Sequence, residues 1–392
     1  MAYFISGLGP GEAGASKFYS HVNDIAKRKN IKSVFPYEHK SLRRILSKSK
    51  IDAMKYVVYV LFKRISFIFR TLTIHGQDVV LAHPQGIGLI LSMYIIRRNN
   101  FVHYYVLDNS YFCIQSYNFH PQEGECLRCI NGNMKPFSTC RSFPGYRLKF
   151  IHSYYIKFLK RHTKKIKFFF QNDKQMELFC RHTSGLERHV ERIGLQTSDI
   201  RSSLQEVCQS LTSECPDSEL IINNHSINPP YVVFHGAQHE AKGCGLAFKI
   251  AEKLDEYTFI FPFEKPNLSL PKNCVFEPCS WDTGLKELVT HAHCVICPSL
   301  WSAPIEAAFI KSILYNGLLI VSHTEYGYSS ELPRGLLLDY VDEQSIVEIR
   351  RTLIDANRCA QMRADLRHLV TDCMRNTSME TLFSFNENIE TR

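Results

Sequence analysis

Short apolar runs alternate with stretches of helical periodicity along most of the chain. In the first half, we predict a helix over 87–96 and strands over 3–6, 78–82, 101–107 and 166–170. The alternation becomes clearer after residue 230, with strands predicted over 231–235, 258–261, 274–276, 294–297, 318–322 and 335–338. Helices are predicted there around 246–254, 284–291, 305–315, 343–356 and 359–374. Strands that alternate with helices in this way predict an α/β fold with parallel sheets and crossover helices.

A polar stretch separates the two halves. Residues 197–228 are rich in Ser, Asn and acidic side chains, and they are followed by Pro229 and Pro230. With 392 residues, the chain is long enough for two domains with a core each. We therefore predict an amino-terminal domain, a linker, a carboxyl-terminal domain and a last segment that crosses back to the first domain, over 1–205, 206–229, 230–375 and 376–392.

Composition places the chain among globular proteins, with 45% apolar and 22% charged residues. The net charge of +9 favours an acidic partner, which leaves phosphate, nucleic acid and anionic lipid open. The amino terminus lacks the pattern of a signal peptide. The best candidate for a membrane span, 56–74, is interrupted by Lys63, Arg64 and Arg70. We therefore expect a cytoplasmic protein that does not span a membrane.

Two strand–loop–helix connections have the chemistry of a phosphate site. The loop from Gly7 to Gly14, which includes Gly9 and Gly11, follows the first strand, and its glycines let the backbone approach a phosphate. We favour a donor or acceptor loop over a dinucleotide site, because no acidic residue closes a second strand about 20 residues later. In the second half, Gly236 follows a strand and Lys242 stands at a helix start. The backbone amides and the positive dipole end at a helix start favour the binding of a diphosphate there. The ammonium group of Lys242 would add a positive charge that stabilises a departing nucleoside diphosphate. The alternative is a surface lysine before an ordinary turn.

A second loop in this half runs from Pro298 to Glu306, between the strand 294–297 and a helix that we expect to hold Glu306 in its first turn. Such a loop lies where open α/β sheets bind ligands, and a carboxylate there can hold ribose or sugar hydroxyls. Its alternative role is to complement the helix dipole. Asn316 and Gly317 then lead into a buried strand, and Glu331 follows that strand.

The order of these features resembles the donor domain of retaining GT-B glycosyltransferases, and the opening glycine loop resembles their amino-terminal domain. The resemblance implies two Rossmann-like domains facing a cleft, with the donor diphosphate near Lys242 and with Glu306 and the loop 299–304 facing the nucleoside and sugar. It gives a donor-binding set of Gly9, Gly11, Gly236, His239, Ser299, Ser302 and Glu331. Ala237 replaces an arginine of the family and Ser302 replaces its first glutamate, with His239 or Gln238 as candidate substitutes for the arginine.

A cysteine-rich loop over 108–144 is the most unusual feature of the first half. Four thiols in the pattern C-x12-C-x2-C-x10-C can offer four soft ligands to zinc or to an iron–sulfur cluster; they belong to Cys113, Cys126, Cys129 and Cys140. Free thiols are the alternative, and disulfides are less favoured. Asp108, after the strand 101–107, is a candidate to orient an acceptor hydroxyl, or else it caps the loop by accepting backbone amides. His83 is a further candidate.

Two helical segments combine apolar stripes with basic residues. One stripe consists of Met54, Val57, Val58, Leu61, Phe62, Ile65, Ile68 and Phe69, and the other of Phe150, Ile151, Tyr154, Tyr155, Phe158 and Leu159. Apolar faces flanked by Lys and Arg are typical of helices that lie on anionic lipid. The alternative is that each stripe faces the core of the domain. We find no nucleic-acid-binding module and expect no nucleic-acid partner.

These features together predict a glycosyltransferase at the cytoplasmic face of a membrane. It would transfer a sugar from a nucleotide-activated donor to a glycan or lipid-linked acceptor in cell-surface polysaccharide synthesis. Lys242, Glu306 and Asp108 would be the catalytic residues, and no catalytic divalent metal is expected. Two alternatives stay open: a non-catalytic GT-B protein that binds a glycan or scaffolds an assembly, and a metal- or redox-sensing protein built on the cysteine loop.

Overall fold

A computed structural model of the chain describes residues 1–11, 15–37, 49–132, 135–142, 148–209, 220–222, 225–227 and 230–385. The chain divides into two compact units. The first unit consists of Met1–Tyr117, Leu127–Asp199 and Thr377–Arg392, and the second of Asn118–Cys126 and Ile200–Asn376. The end of the glycine loop, most of the predicted linker and residues 386–392 lie outside the described residues.

The first unit is built on a parallel sheet. Within the described residues, six strands pair in the order β2-β1-β3-β4-β7-β8. They are β1 (Ala2–Ser6), β2 (Lys32–Val34), β3 (Asp78–Ala82), β4 (Phe101–Tyr105), β7 (Ile166–Phe170) and β8 (Val190–Arg192). The central strands carry long runs of buried Val, Leu, Phe and Tyr, as a sheet covered on both faces requires.

Helices cover this sheet. They are α1 (Ala15–Arg28), α2 (Lys50–Leu72), α3 (Pro84–Ile87), α4 (Leu89–Arg98), α5 (Lys149–Arg161) and α6 (Asp173–Thr183). The hydroxyl of Ser49 caps α2 by accepting the amide of Asp52 at 3.2 Å. Helix α2 packs on α4, and α4 packs on α5. The returning 3-10 turn Met379–Phe383 buries Met379 and Leu382 in this unit.

The second unit repeats the architecture. In its described part, six strands form a parallel sheet in the order β13-β12-β11-β14-β15-β16. These strands are β11 (Tyr231–Phe234), β12 (Thr258–Phe261), β13 (Cys274–Phe276), β14 (Cys294–Cys297), β15 (Leu319–Ser322) and β16 (Leu338–Tyr340). The helices are α7 (Ser198–Gln209), which belongs to this unit from Ile200 onward, α8 (Cys244–Lys253), α9 (Leu285–His291), α10 (Ala307–Tyr315), α11 (Ser345–Leu353) and α12 (Ala356–Arg375).

Two short antiparallel hairpins accompany the sheets. Strands β5 (Phe119–His120) and β6 (Gly124–Glu125) form one, and β9 (Leu220–Ile222) and β10 (His225–Ile227) form the other. The first hairpin lies in the predicted cysteine-rich loop but belongs to the second unit.

The predicted α/β fold with two parallel-sheet domains is confirmed. Some elements differ from the prediction: the strand predicted at 335–338 occupies Leu338–Tyr340, and a helix, α7, occurs where a polar linker begins in the prediction. The buried side chains of Ile200 and Leu204 explain why that helix forms. Among the described residues, no helix is long and apolar enough to cross a membrane.

The first unit also contains a buried imidazole, that of His182 on α6. It is 1% exposed beside the rings of Tyr111 and Phe112, and in the described structure neither ring nitrogen has a hydrogen-bond partner. Burial lowers the pKa of His182 to about 3, and the charges of Lys160 and His152 act in the same direction. The imidazole is therefore neutral in the folded protein.

We expect His182→Phe to remove part of the acid sensitivity of the fold. The ordinary pKa of histidine is 6.5, so between pH 6.5 and about pH 3 the side chain of His182 is protonated in the unfolded chain but neutral in the folded protein. The stability that depends on neutral His182 is therefore present above pH 6.5 and is lost as the pH falls toward 3. At about pH 5 the loss amounts to about 2 kcal/mol. Urea unfolding of both proteins at neutral pH and at about pH 5 checks this, and an equal difference at both pH values would contradict it.

Candidate functional site

The second sheet has its topological switch point between its two central strands, β11 and β14. The chain leaves β11 toward β12 on one side, whereas β14 continues to β15 on the other side. Loops that follow the carboxyl ends of such strands form the ligand crevice of open α/β sheets. The loop after β11 carries Lys242 and the loop after β14 carries Glu306, so the fold brings these two predicted residues together.

The loop after β11 is built to hold Lys242 beside the loop after β14. Its 3-10 turn, Glu240–Lys242, is capped by His239, whose Nδ1 accepts the amide of Ala241 at 3.1 Å. Gly243 then adopts a left-handed φ of 72°, and a Cβ at this position would lie 2.0 Å from the carbonyl oxygen of Pro298. Only glycine fits this contact.

Lys242 and Glu306 form an ion pair. The Nζ atom of Lys242 contacts Oε1 of Glu306, and the hydroxyl of Ser299 donates to Oε2 at 2.7 Å. The same Nζ lies 5.0 Å from the ring centroid of Trp301, a cation–π distance. Burial lowers the pKa of the Lys242 ammonium to about 7. Direct contact with a carboxylate favours the charged form and opposes that shift.

Glu306 immediately precedes helix α10, whereas the sequence pattern predicted that it would lie in the first turn of that helix. Its backbone is extended, with φ −101° and ψ 132°, and within the described structure its side chain makes no capping hydrogen bond. The carboxylate is instead directed at Lys242 and Ser299. The pair therefore presents one cation and one anion at a sheet edge that is suited to ligands.

A small pocket that is open to solvent lies beside Glu306. Its walls come from the loop after β14, the end of β15 and the loop that follows it, and they include Ser299, Trp301, Glu306, Ser322, Thr324 and Tyr328. Polar oxygens and aromatic rings in one pocket are suited to a ligand with hydroxyl groups and a flat ring. Glu331 lies in the turn Tyr328–Glu331 after this wall. At Gly236, a Cβ would lie 2.8 Å from the ring of Phe234.

The β5–β6 hairpin fixes one wall of this pocket. Asn118 donates from Nδ2 to the hydroxyl of Ser302 at 2.6 Å and accepts the Ser302 amide at 3.2 Å. The Glu125 carboxylate accepts three hydrogen bonds: from the hydroxyl of Ser302 at 2.5 Å and from the amides of Glu325 and Tyr326 at 2.5 and 3.0 Å. Ser302 is consequently 1% exposed and bound to the hairpin.

Phe119 extends this attachment by packing on Ala241, Trp301 and Ala303. The hairpin thus contacts the loops after β11, β14 and β15. Sequence reasoning did not identify Asn118 or Glu125, because a contact between positions almost 200 residues apart leaves no periodic signal. Trp301 lies in the loop 299–304 that the resemblance places at the donor, but it was not among the individual residues predicted to bind.

His235 directly follows β11 and also escaped the sequence prediction of the site. Its Nδ1 lies 2.8 Å from the hydroxyl of Ser312, and its ring stacks on Trp281 at 5.4 Å between centroids. Burial lowers the pKa of His235 to about 3, with the charge of Lys311 contributing. A neutral, hydrogen-bonded imidazole of this kind holds the loop against α10.

The predicted glycine loop lies in the first unit. Gly7 and Gly9 are sites of close backbone packing: a Cβ on Gly7 would lie 2.2 Å from the Ile87 amide nitrogen, and one on Gly9 would lie 1.9 Å from the Tyr37 carbonyl oxygen. The Gly11 amide donates to the hydroxyl of Ser20 at 3.1 Å. A pocket of about 470 Å³, open to solvent and lined by Pro10 and by residues of α1 and β2, adjoins this loop.

Asp108 lies after β4, also in the first unit. One carboxylate oxygen accepts the Ser110 amide at 2.9 Å, and the other accepts Nε2 of Gln85 at 2.5 Å. The side chain thus caps the turn Asn109–Tyr111, which is one of the two roles considered from the sequence. His83 has a left-handed φ of 57° and lies edge-on to the ring of Tyr19 at 6.2 Å.

The predicted metal site on Cys113, Cys126, Cys129 and Cys140 is not seen. Across the described part of the chain, no three His, Cys, Asp or Glu side chains gather in a way that could hold a metal ion. Cys126 belongs to the second unit and the other three to the first. Burial raises the pKa of the Cys129 thiol, and the neighbouring Cys140 adds to the shift. The metal site on these four cysteines therefore stays a prediction that the described contacts do not support.

The chain was compared with protein families, with curated proteins and with solved structures, and only the solved structures match it. No protein-family model and no curated protein matches the chain. Anabaena HepE in complex with UDP-glucose aligns with a TM-score of 0.58 at 10% identity, over 97% of both chains. The sucrose-phosphate synthase of Thermosynechococcus elongatus aligns with a TM-score of 0.60 at 11% identity, over 97% of this chain and 96% of that one.

WaaG, described as a glycosyltransferase involved in lipopolysaccharide biosynthesis, aligns with a TM-score of 0.54 at 13% identity, over 97% of this chain and 98% of that one. These likenesses extend over nearly the whole chain, so both units are included. The chain therefore has the GT-B glycosyltransferase fold, and the fold class predicted from the sequence is confirmed.

Proposed function

We propose that the protein is a glycosyltransferase that takes a sugar from a nucleotide-activated donor and binds that donor in the second unit. The observation that carries the proposal is the Lys242–Glu306 pair at the switch point of the second sheet. Anabaena HepE, which shares the fold, has been solved with UDP-glucose, and this supports a nucleotide sugar as the donor class.

The pair suggests how the donor would be held. The ammonium of Lys242 is already balanced by Glu306, so a diphosphate would bind as a competing anion. Once Lys242 turns toward the diphosphate, the Glu306 carboxylate is released to accept hydroxyl groups of the ribose or the sugar, with Ser299 still beside it. As the bond between sugar and diphosphate breaks, negative charge grows on the departing group, and Lys242 stabilises it.

Lys242 supplies this charge without a divalent metal. Retention of the anomeric configuration follows from the resemblance to retaining enzymes. Asp108 in the first unit is the proposed acceptor contact, and the proposed acceptor is a glycan or lipid-linked sugar in cell-surface polysaccharide synthesis. The description of WaaG supports this acceptor class.

We place the enzyme at the cytoplasmic face of a membrane. Peripheral attachment would bring the enzyme to a lipid-linked acceptor.

A panel of nucleotide sugars and free nucleotides tests the donor proposal. We expect one nucleotide family to raise the melting temperature of the protein and to bind with micromolar affinity by calorimetry, as substrates of enzymes typically do. The selected nucleotide sugar should also be hydrolysed slowly in the absence of an acceptor. A folded protein that binds none of the panel would overturn the proposal and favour a non-catalytic GT-B protein, in keeping with Ala237 and Ser302 at two family positions.

A further inference from the structure

Helix α2 (Lys50–Leu72) has two distinct faces. One face is attached to the first unit through the buried side chains of Ala53, Phe67 and Thr71. The guanidinium of Arg64 adds a hydrogen bond of 3.1 Å to the carbonyl oxygen of Gly86. This face anchors the helix to the first unit.

The other face is apolar and exposed. We call it the outer stripe, and it consists of Ile51, Met54, Val58, Leu61, Phe62, Ile65, Phe69 and Leu72. The spacing of three and four residues places these side chains in one row along the helix. Phe62 is 70% exposed and Phe69 67%, whereas Phe67 on the attached face is 3% exposed. The alternative that this stripe faces the core of the domain is therefore wrong for α2.

Neighbouring helices of the first unit carry further exposed apolar side chains. Helix α2 packs on α4 and α4 on α5, so the three helices form one layer of the first unit. Ile90 on α4 and Phe150 and Tyr154 on α5 are exposed, while Tyr155 and Leu159 of the second predicted stripe are buried in the core. An apolar surface larger than scattered single residues marks an interaction site.

Basic residues accompany this surface. Helix α2 has five Lys and Arg residues and one acidic residue, Asp52. Lys55, Lys63 and Arg70 are exposed on one flank of the outer stripe. Helix α5 contributes Lys149, Lys157, Lys160 and Arg161 and has no acidic residue.

We propose that the outer stripe and the exposed residues beside it dock on an anionic lipid surface. Apolar side chains would enter the boundary between headgroups and acyl chains, and the flanking Lys and Arg would meet lipid phosphates. A second copy of this chain is a poorer occupant, because it would bring two strongly basic helices face to face. The attachment is peripheral, and it does not depend on the donor site of the proposed function.

Vesicle flotation of the full chain tests this. Phosphatidylcholine vesicles that contain phosphatidylglycerol should bind the wild type, and pure phosphatidylcholine vesicles should bind it much more weakly. We expect Phe62→Ser with Phe69→Ser to weaken binding to the anionic vesicles at least about tenfold, since both rings lose their apolar contact. A higher salt concentration should also weaken the binding of the wild type to the anionic vesicles. The control replaces Val347 and Ile354, two equally exposed apolar residues of the second unit, by serine, and should leave binding unchanged.

The outcomes separate the occupants and the two proposals. Equal binding of wild type and the Phe62/Phe69 variant would overturn the docking surface. Sedimentation that shows a wild-type dimer abolished by the same variant, with no vesicle binding, would assign the stripe to a second copy and overturn it too. Melting curves show whether the variant is folded, and nucleotide binding should be the same in both proteins. A loss of nucleotide binding in all proteins would count against the proposed function alone.

Discussion

Replacing Lys242 by methionine is expected to lower sugar transfer at least about 100-fold, because the departing diphosphate loses the cation that stabilises it. Methionine keeps much of the apolar length of the side chain, so contact with Trp301 is retained while the charge is lost. Binding of the nucleoside diphosphate should weaken in the same variant. Steady-state transfer with the donor found in the panel, together with calorimetry of the nucleotide, checks both results.

The design has to separate lost chemistry from lost stability. Lys242→Met alone leaves the half-buried carboxylate of Glu306 beside Ser299 without its cation, which destabilises a fold. The double variant with Glu306→Gln removes both charges and should recover the melting temperature but not the activity. Lys286→Met, which breaks the more exposed pair with Glu206 in the same unit, is the matched control. A Lys242→Met enzyme with wild-type transfer would remove this residue from the mechanism.

The fold was largely predictable because its signal is local. Strand β14 is a run of four buried residues between polar loops, and its predicted bounds agree with the structure. Helix α7 was missed because its buried Ile200 and Leu204 are surrounded by the Ser and acidic residues that also characterise linkers. Strand β8, at the edge of the first sheet, is only three residues long and has no such run.

The candidate site was predictable where topology decides it. Loops after two adjacent parallel strands meet at one edge, so Lys242 and Glu306 could be paired from their places after β11 and β14. The role of Ser302 could not be predicted, since its partners come from the β5–β6 hairpin far away in the sequence. The two faces of α2 illustrate a related limit: periodicity reveals an apolar stripe but not whether protein or solvent lies against it.

Glu125→Ala is expected to loosen the pocket wall and to weaken nucleotide-sugar binding at least about tenfold. The carboxylate joins Ser302, in the loop after β14, to the amides of Glu325 and Tyr326 after β15. Each donor left without a partner and without water costs about 1–3 kcal/mol, so the melting temperature of the second unit should fall too. Thr324 and Tyr328 line the pocket on either side of these amides, so disorder there affects the ligand directly.

Glu125→Gln distinguishes the charge from the shape. Glutamine retains one acceptor oxygen but turns an amide group toward an N–H or O–H donor, so we expect binding and melting temperature between those of Glu125→Ala and the wild type. Gln122→Ala, an exposed change in the turn of the same hairpin, should affect neither.

If Glu125→Ala bound the nucleotide sugar and melted as the wild type does, the hairpin would be a passive attachment. A fall in melting temperature with unchanged affinity would limit Glu125 to stability. The expected combination of both losses would show that a carboxylate outside the second sheet holds the wall that contains Ser302.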